Sequence, residues 1–137
     1  MYIDDLSAIN EVNMDYEVTL FLRQVWTDTR LAYGQLTNST IIWDHHNFDS
    51  ELIDKLWTPN IFFTKEKRAM KHTVMKSNRF LEINPNGEIM ISERVTLVSH
   101  CFMDFKMFPF DSQLCQISIE SFDLPVQQKH WKNFVEI

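Results

Sequence analysis

In the segment DYEVTLFLRQVW (residues 15–26), hydrophobic and polar positions alternate with a period of two. Tyr16, Val18, Leu20, Leu22 and Trp26 fall on one face, and Glu17, Thr19, Phe21, Arg23 and Val25 on the other. This pattern predicts a long, half-buried strand. A second strand, RFLEI (79–83), runs into the turn signal Asn84-Pro85-Asn86-Gly87 and then into EIMISERVTLVSHC (88–101). There Ile89, Ile91, Val95 and Leu97 share one face, and Met90, Ser92, Arg94 and Thr96 the other. QISIESF (116–122) alternates again, with Ile117 and Ile119 opposed to Gln116, Ser118 and Glu120. One stretch, DSELIDKLW (49–57), reads as a helical turn opened by Ser50 as the capping residue before Glu51. Many strands, closely spaced turns and no β–α alternation predict an antiparallel, immunoglobulin-like β-sandwich. With only two glycines, its turns must rely on Asn, Asp and Pro.

Composition narrows the function. The 137 residues suffice for one domain with a core, and no repeat or linker divides them. A net charge of −6 argues against nucleic acid, which calls for a basic face. The longest apolar runs fall far short of the ~20 residues that cross a bilayer. No secretory signal precedes Tyr2, and Met1 reads as an initiator or a residue added in cloning. The chain has neither G-x-S-x-G nor H-E-x-x-H, and too few glycines to cradle phosphate, so no enzyme and no cofactor are expected. In WDHHNFD, Asp44, His45, His46 and Asp49 have the chemistry for zinc. Adjacent histidines on a strand point to opposite sides, however, so no metal is expected either.

Two features remain. Cys101 and Cys115 enclose thirteen residues, including Met107-Phe108-Pro109-Phe110 and Asp111. They read either as buried thiols or as a bond closing a small loop, which would stabilise the fold by about 3 kcal/mol. That spacing and the sequon Asn38-Ser39-Thr40 favour an oxidising, extracellular address. The second feature is the pair of outward faces, Phe21 with Arg23 and Met90 with Ser92 and Arg94. The first sets an aromatic ring beside a cation and the second mixes apolar, hydroxyl and cationic groups, which suits ordinary surface, a partner or a small anionic group.

The stretch CFMDFKMFPFDSQLC resembles the signature loop of the Cys-loop receptors, the pentameric ligand-gated ion channels. MDYEVTLFLRQVWTDTRLAY resembles that family's second strand and its W-x-D-x-R-L continuation (Trp26, Asp28, Arg30, Leu31). LWTPNIFF resembles the W-x-P-D segment, and IESF the loop after the cysteines. FLRQ, RLAY and ESF look most like glycine- and GABA-receptor subunits. The resemblance runs from about Ile3 to Trp131. It implies a Cys101–Cys115 disulfide and a single partial extracellular ligand-binding domain over residues 1–137. The amino-terminal helix, last strands and transmembrane helices would be missing, leaving a sandwich truncated at both ends.

The resemblance also implies roles. A pentamer of homologous subunits would bind agonist at its interfaces, on the extracellular side of a plasma membrane, postsynaptic in setting, and conduct anions. Phe21, Arg23, Met90 and Ser92 match the complementary face; Arg23 would clamp an agonist carboxylate with help from Ser92. Phe62, Glu120, Ser121 and Phe122 match the principal face, an aromatic box for the ammonium of a small zwitterionic amino acid. Phe62 also has a rival reading as core. Phe108, Pro109, Phe110 and Asp111, with Glu11 in an earlier turn, would couple binding to the pore by touching the subunit's own transmembrane domain. The Phe108-Pro109 bond is a candidate cis peptide, and Asn38 a glycosylation site. Asn60 stands where the family usually has Asp, and Asp123-Leu124 where it has Gly and an aromatic residue. Two other readings fit the residues: a soluble secreted binding protein of the same fold, and a truncated subunit fragment that assembles without binding agonist.

Overall fold

The computed structural model describes residues 1–34, 46–122 and 130–136. Its strands are β1 (Tyr2–Asn10), β2 (Asp15–Thr27), β3 (His46–Phe48), β4 (Ile61–Phe63), β5 (Glu66–Lys71), β6 (Arg79–Ile83), β7 (Glu88–His100), β8 (Leu114–Ser121) and β9 (His130–Glu136). One sheet runs β1-β2-β7-β6-β3 with β5 also on β7; the second runs β4-β8-β9. β6 pairs antiparallel with both β3 and β7, and β8 with both β4 and β9. The fold is therefore the all-β antiparallel sandwich that the alternation predicts. The four strands read from the sequence are β2, β6, β7 and β8. The predicted helical turn is a 3-10 turn, Ser50–Lys55, and its cap is Asp49 rather than Ser50: the Asp49 carboxylate accepts the Glu51 N–H at 3.3 Å.

The chain divides into two compact units. The first comprises Met1–Tyr2, Phe21–Thr58 and Lys71–Arg94. Its core is Ile53, Leu81, Ile83, Ile89 and Ile91, with Trp26, Leu31, Tyr33, Phe48 and Leu56 packed against it. Register explains this composition, because Leu81 lies opposite Ile91 and Ile83 opposite Ile89. Gly87 sits in the turn before β7 with φ 86°. A Cβ there would stand 2.5 Å from the Asp28 carbonyl oxygen, so the position admits only glycine. The Gly87 carbonyl accepts the Asp28 N–H at 2.9 Å. Asp28 in turn caps the 3-10 turn Thr29–Leu31 and binds the Arg30 guanidinium at 2.6 Å. The run Trp26-x-Asp28-x-Arg30-Leu31 is thus a corner: a ring and a leucine on the core, and an ion pair that closes the bend.

One position interrupts the inward row of β7. Glu93 falls between Ile91 and Val95, and its carboxylate reaches Lys71 at 2.9 Å. Opposite it in register stands Arg79, whose guanidinium binds Asp54 at 2.7 Å.

The second unit comprises Ile3–Leu20, Pro59–Met70 and Val95–Ile137. Strands of both sheets bury their inward rows there: Tyr16, Val18 and Leu20 from β2, Val95 and Leu97 from β7, and Ile117 and Ile119 from β8. Thr19 and Thr96 belong to outward rows by sequence, yet both are buried. Their hydroxyls share a 2.7 Å hydrogen bond, which removes the desolvation cost of either alone.

Two measurements test this packing. Leu81→Ala should destabilise the domain by about 2–5 kcal/mol, since its side chain is fully buried among β-branched neighbours. A denaturant midpoint equal to wild type would mean that the site collapses without loss. The second concerns acid. The hydrogen bond from Arg79, aided by its charge and less by that of Lys71, lowers the Asp54 pKa. The unfolded chain then takes up this proton at a higher pH than the folded one. The stabilisation is complete above the ordinary carboxylate value of about 3.9 and is lost as pH falls through the lower folded value. Asp54→Asn should accordingly be less stable than wild type at pH 6, with the gap closing as pH falls below the ordinary carboxylate value. A gap independent of pH would assign the effect to shape alone.

Candidate functional site

The first unit carries Phe21, Arg23, Met90, Ser92 and Arg94. Burial of Leu20 and Leu22 on β2 turns Phe21 and Arg23 to the other face, where Phe21 is half-buried and Arg23 exposed. β2 and β7 are neighbours in the sheet, and the Arg94 guanidinium stands 6.0 Å over the Phe21 ring. Arg23, two residues after Phe21, and Ser92, two before Arg94, lie on these neighbouring strands. On the far side of β7, Ser92 pairs with Phe80 and Met90 with Glu82. Tyr2 adds an exposed ring 6.4 Å from Phe21.

The cations here differ in what holds them. Arg30, Arg68 and Arg79 contact carboxylates, and Arg94 stacks on Phe21. Arg23, exposed, makes no ion pair among the described residues. It retains the full fork of its guanidinium donors for an external carboxylate.

The second unit carries Phe62, Glu120, Ser121 and Phe122. β4 pairs with β8 so that Phe62 lies opposite Glu120 and Ile61 opposite Ser121. Phe62 is 37% exposed, which settles its rival reading as core. It packs edge-on against the exposed Phe122, with ring centroids 5.7 Å apart at 70°. Phe122 is held through its backbone: its N–H donates to the Asn60 carbonyl at 2.9 Å, and the Ser121 hydroxyl reaches the same oxygen at 3.4 Å. Asn60 in place of Asp leaves both bonds intact, because they use its main chain. Across the other edge of β8, Glu120 stands opposite His130. Two aromatic faces beside a carboxylate-bearing strand suit a cation.

The same unit carries the loop between the cysteines. Cys101 and Cys115 form a disulfide, with both residues buried. The loop then rises into exposed apolar side chains: Met107, Phe108 and Phe110, the last 91% exposed. The Phe108-Pro109 bond is cis. Phe108 N–H donates to the Phe105 carbonyl at 3.1 Å, and Phe110 N–H to the Met107 carbonyl at 2.8 Å. Asp111 turns inward to Gln113. Glu11 is exposed in the turn between β1 and β2, followed by Met14 at φ 51°, whose carbonyl accepts the Cys101 N–H at 2.9 Å.

Asn38, Asp44, His45, Asp123 and Leu124 lie outside the described residues. Asp49 is engaged as a cap and with Lys76 at 3.8 Å, and no metal-binding cluster occurs among the described residues. Sequence reasoning passed over Tyr2 and Gln113. Tyr2 sits on β1, whose alternation is too weak to read, whereas Gln113 could have been found as the one amide side chain inside the loop.

The family model for the neurotransmitter-gated ion-channel ligand binding domain matches residues 1–132. The gamma-aminobutyric acid receptor subunit rho-3 of Rattus norvegicus is 38% identical over 133 residues, covering 93% of this chain and 28% of the relative. The rho-2 subunit of Homo sapiens is 37% identical over 133 residues, 96% of this chain and 28% of the relative. The human rho-1 subunit is 38% identical over 120 residues, 88% of this chain and 24% of the relative. This chain thus spans about a quarter of the length of the curated relatives it matches.

Cys101→Ser tests what the disulfide supports. Opening a loop of this size should cost about 3 kcal/mol, lowering the unfolding midpoint and the yield of folded protein. Cys101→Ser/Cys115→Ser separates that loss from reactions of the thiol left behind. Wild-type midpoints in both variants would show that the loop's own hydrogen bonds suffice.

Proposed function

The chain belongs to the neurotransmitter-gated ion-channel ligand-binding domain family, and from this premise we propose that it is the extracellular agonist-binding region of a channel subunit that answers to a small amino acid. The observation that carries the proposal is Arg23: an exposed guanidinium without an ion pair among the described residues, on the strand beside that of Ser92 and next to the Phe21–Arg94 stack. An agonist carboxylate would take two hydrogen bonds from Arg23 and one from Ser92. On the principal side, Phe62 and Phe122 would receive the agonist's ammonium, with Glu120 adding negative charge and Ser121 holding the loop. Each chain would contribute one half-site to each of two neighbours, so the partners are homologous subunits in a pentamer. The similarity to gamma-aminobutyric acid receptor subunits supports that compound as the first agonist to test.

The disulfide-closed loop would couple binding to the pore. Its Met107, Phe108, Pro109 and Phe110 form an apolar tip with no cover among the described residues, and such a tip needs apolar protein against it. The subunit's own membrane-spanning part meets that need, with Asp111 and Glu11 at the same junction. The same tip weighs against a soluble secreted binder, which would carry polar residues there.

The test is agonist current from the full-length protein in an expressing cell. GABA, glycine or glutamate should open the channel, and Arg23→Ala should shift the half-maximal concentration at least tenfold, about 1.4 kcal/mol. Arg23→Lys should recover only part of this, because an ammonium cannot form the two-point contact. An unshifted dose–response in Arg23→Ala would remove Arg23 from the site, and a response to acetylcholine alone would overturn the amino-acid reading.

A further inference from the structure

The disulfide holds the neck of the loop but not its tip. Between Cys101 and Cys115 the chain must still fix the residues that bear Met107, Phe108 and Phe110. Beside the main-chain bonds from Phe108 N–H to Phe105 and from Phe110 N–H to Met107, three hydrogen bonds made by one side chain do so. The Asp104 N–H donates to Gln113 Oε1 at 3.1 Å, and Gln113 Nε2 donates back to the Asp104 carbonyl at 2.9 Å. A primary amide carries a donor and an acceptor side by side, as a peptide unit does. Gln113 therefore pairs with the main chain of Asp104 as a neighbouring strand would, across nine residues of sequence. The second amide hydrogen goes to Asp111 Oδ2 at 2.5 Å. The orientation of the amide follows from its partners, because only an oxygen can accept from Asp104 N–H and only the NH2 can serve two acceptors.

The other polar groups of the loop are already engaged. The Asp104 carboxylate accepts the Lys106 N–H at 3.2 Å and binds Lys106 Nζ at 3.0 Å. Asp111, beside Phe110, points inward to Gln113. We propose that Gln113 is the positioning residue of this loop: its two-point pairing with Asp104 and its bond to Asp111 set the direction in which the apolar tip is presented. The inference rests on the reading that the loop couples agonist binding to the pore, and the experiment separates the two.

Gln113→Met keeps the length of the side chain and removes all three bonds. Gln113→Glu keeps the acceptor for Asp104 N–H but sets a carboxylate against the Asp104 carbonyl and the Asp111 carboxylate. Two facing carboxylates share a proton at raised pH, so acid restores a donor at that position. The other charges around it are Asp104 and Lys106. In the full-length channel, both variants should bind tritiated GABA within twofold of wild type. Single-channel open probability at saturating GABA should fall at least threefold. Gln113→Glu should regain most of that loss, relative to wild type, between pH 7.4 and 5.5, and Gln113→Met should not. Wild-type open probability in Gln113→Met overturns the proposal, as does a Gln113→Glu defect that ignores pH. If Gln113→Met does not reach the surface, recovery of Gln113→Glu in acid still decides the matter. Phe110→Ala is run alongside: reduced open probability there with normal Gln113 variants sinks only the role of Gln113. Normal gating in Phe110→Ala sinks the coupling reading together with it.

Discussion

The two-residue period of β2 and β7 constrains almost everything else. Once Tyr16, Val18, Leu20 and Leu22 are buried, Phe21 and Arg23 have nowhere to go but out, and Ile89 and Ile91 do the same for Met90 and Ser92. A register slip of one residue would bury Arg23 without an acid to meet it, a cost of several kcal/mol. The Thr19–Thr96 hydrogen bond pins that register from within, because a slipped ladder leaves two buried hydroxyls unpaired.

On the proposed principal side, construction is different. Phe122 and Ser121 are fastened to the carbonyl of Asn60 rather than to a side chain. A main-chain acceptor is present whatever residue occupies position 60. The departure from Asp therefore costs the Phe62–Phe122 pair neither bond. The loop between the cysteines combines both strategies: a covalent neck, and a glutamine that imitates a strand.

How much was readable in advance follows from these physics. β2, β6, β7 and β8 each bury most of one row, so their alternation announces them, and the bounds of β6 match the sequence pattern residue for residue. β5 exposes all six of its residues, and no burial pattern distinguishes such a strand from a loop. β3 and β4 are three residues long, shorter than a period can be recognised. Glu93 was missed as an inward residue because Lys71, which lets it sit there, comes from the unpatterned β5. Of the candidate site, Phe21, Arg23, Met90 and Ser92 were legible as outward residues from alternation alone. Their roles, and the pairing of Phe62 with Phe122, came from the family resemblance. Gln113 required the loop's hydrogen bonds to be seen.

β5 has one more consequence. Its outward side chains reach across to acids on neighbouring strands: Lys67 to Asp15 at 2.6 Å, Arg68 to Glu17 at 4.0 Å and Lys71 to Glu93 at 2.9 Å. Beyond its ladder to β7, a strand with no buried apolar row is held by these contacts, and ion pairs this exposed weaken as counterions crowd in, over a Debye length of about 8 Å at physiological ionic strength. Concentrated salt would thus loosen β5 before it touches the core, baring the flank of β7 to any passing strand. The lysines that fasten this border under physiological conditions also repel a second copy from it. Handling such a domain in brine, as in many purification steps, invites the stacking that its charges prevent in serum-like media.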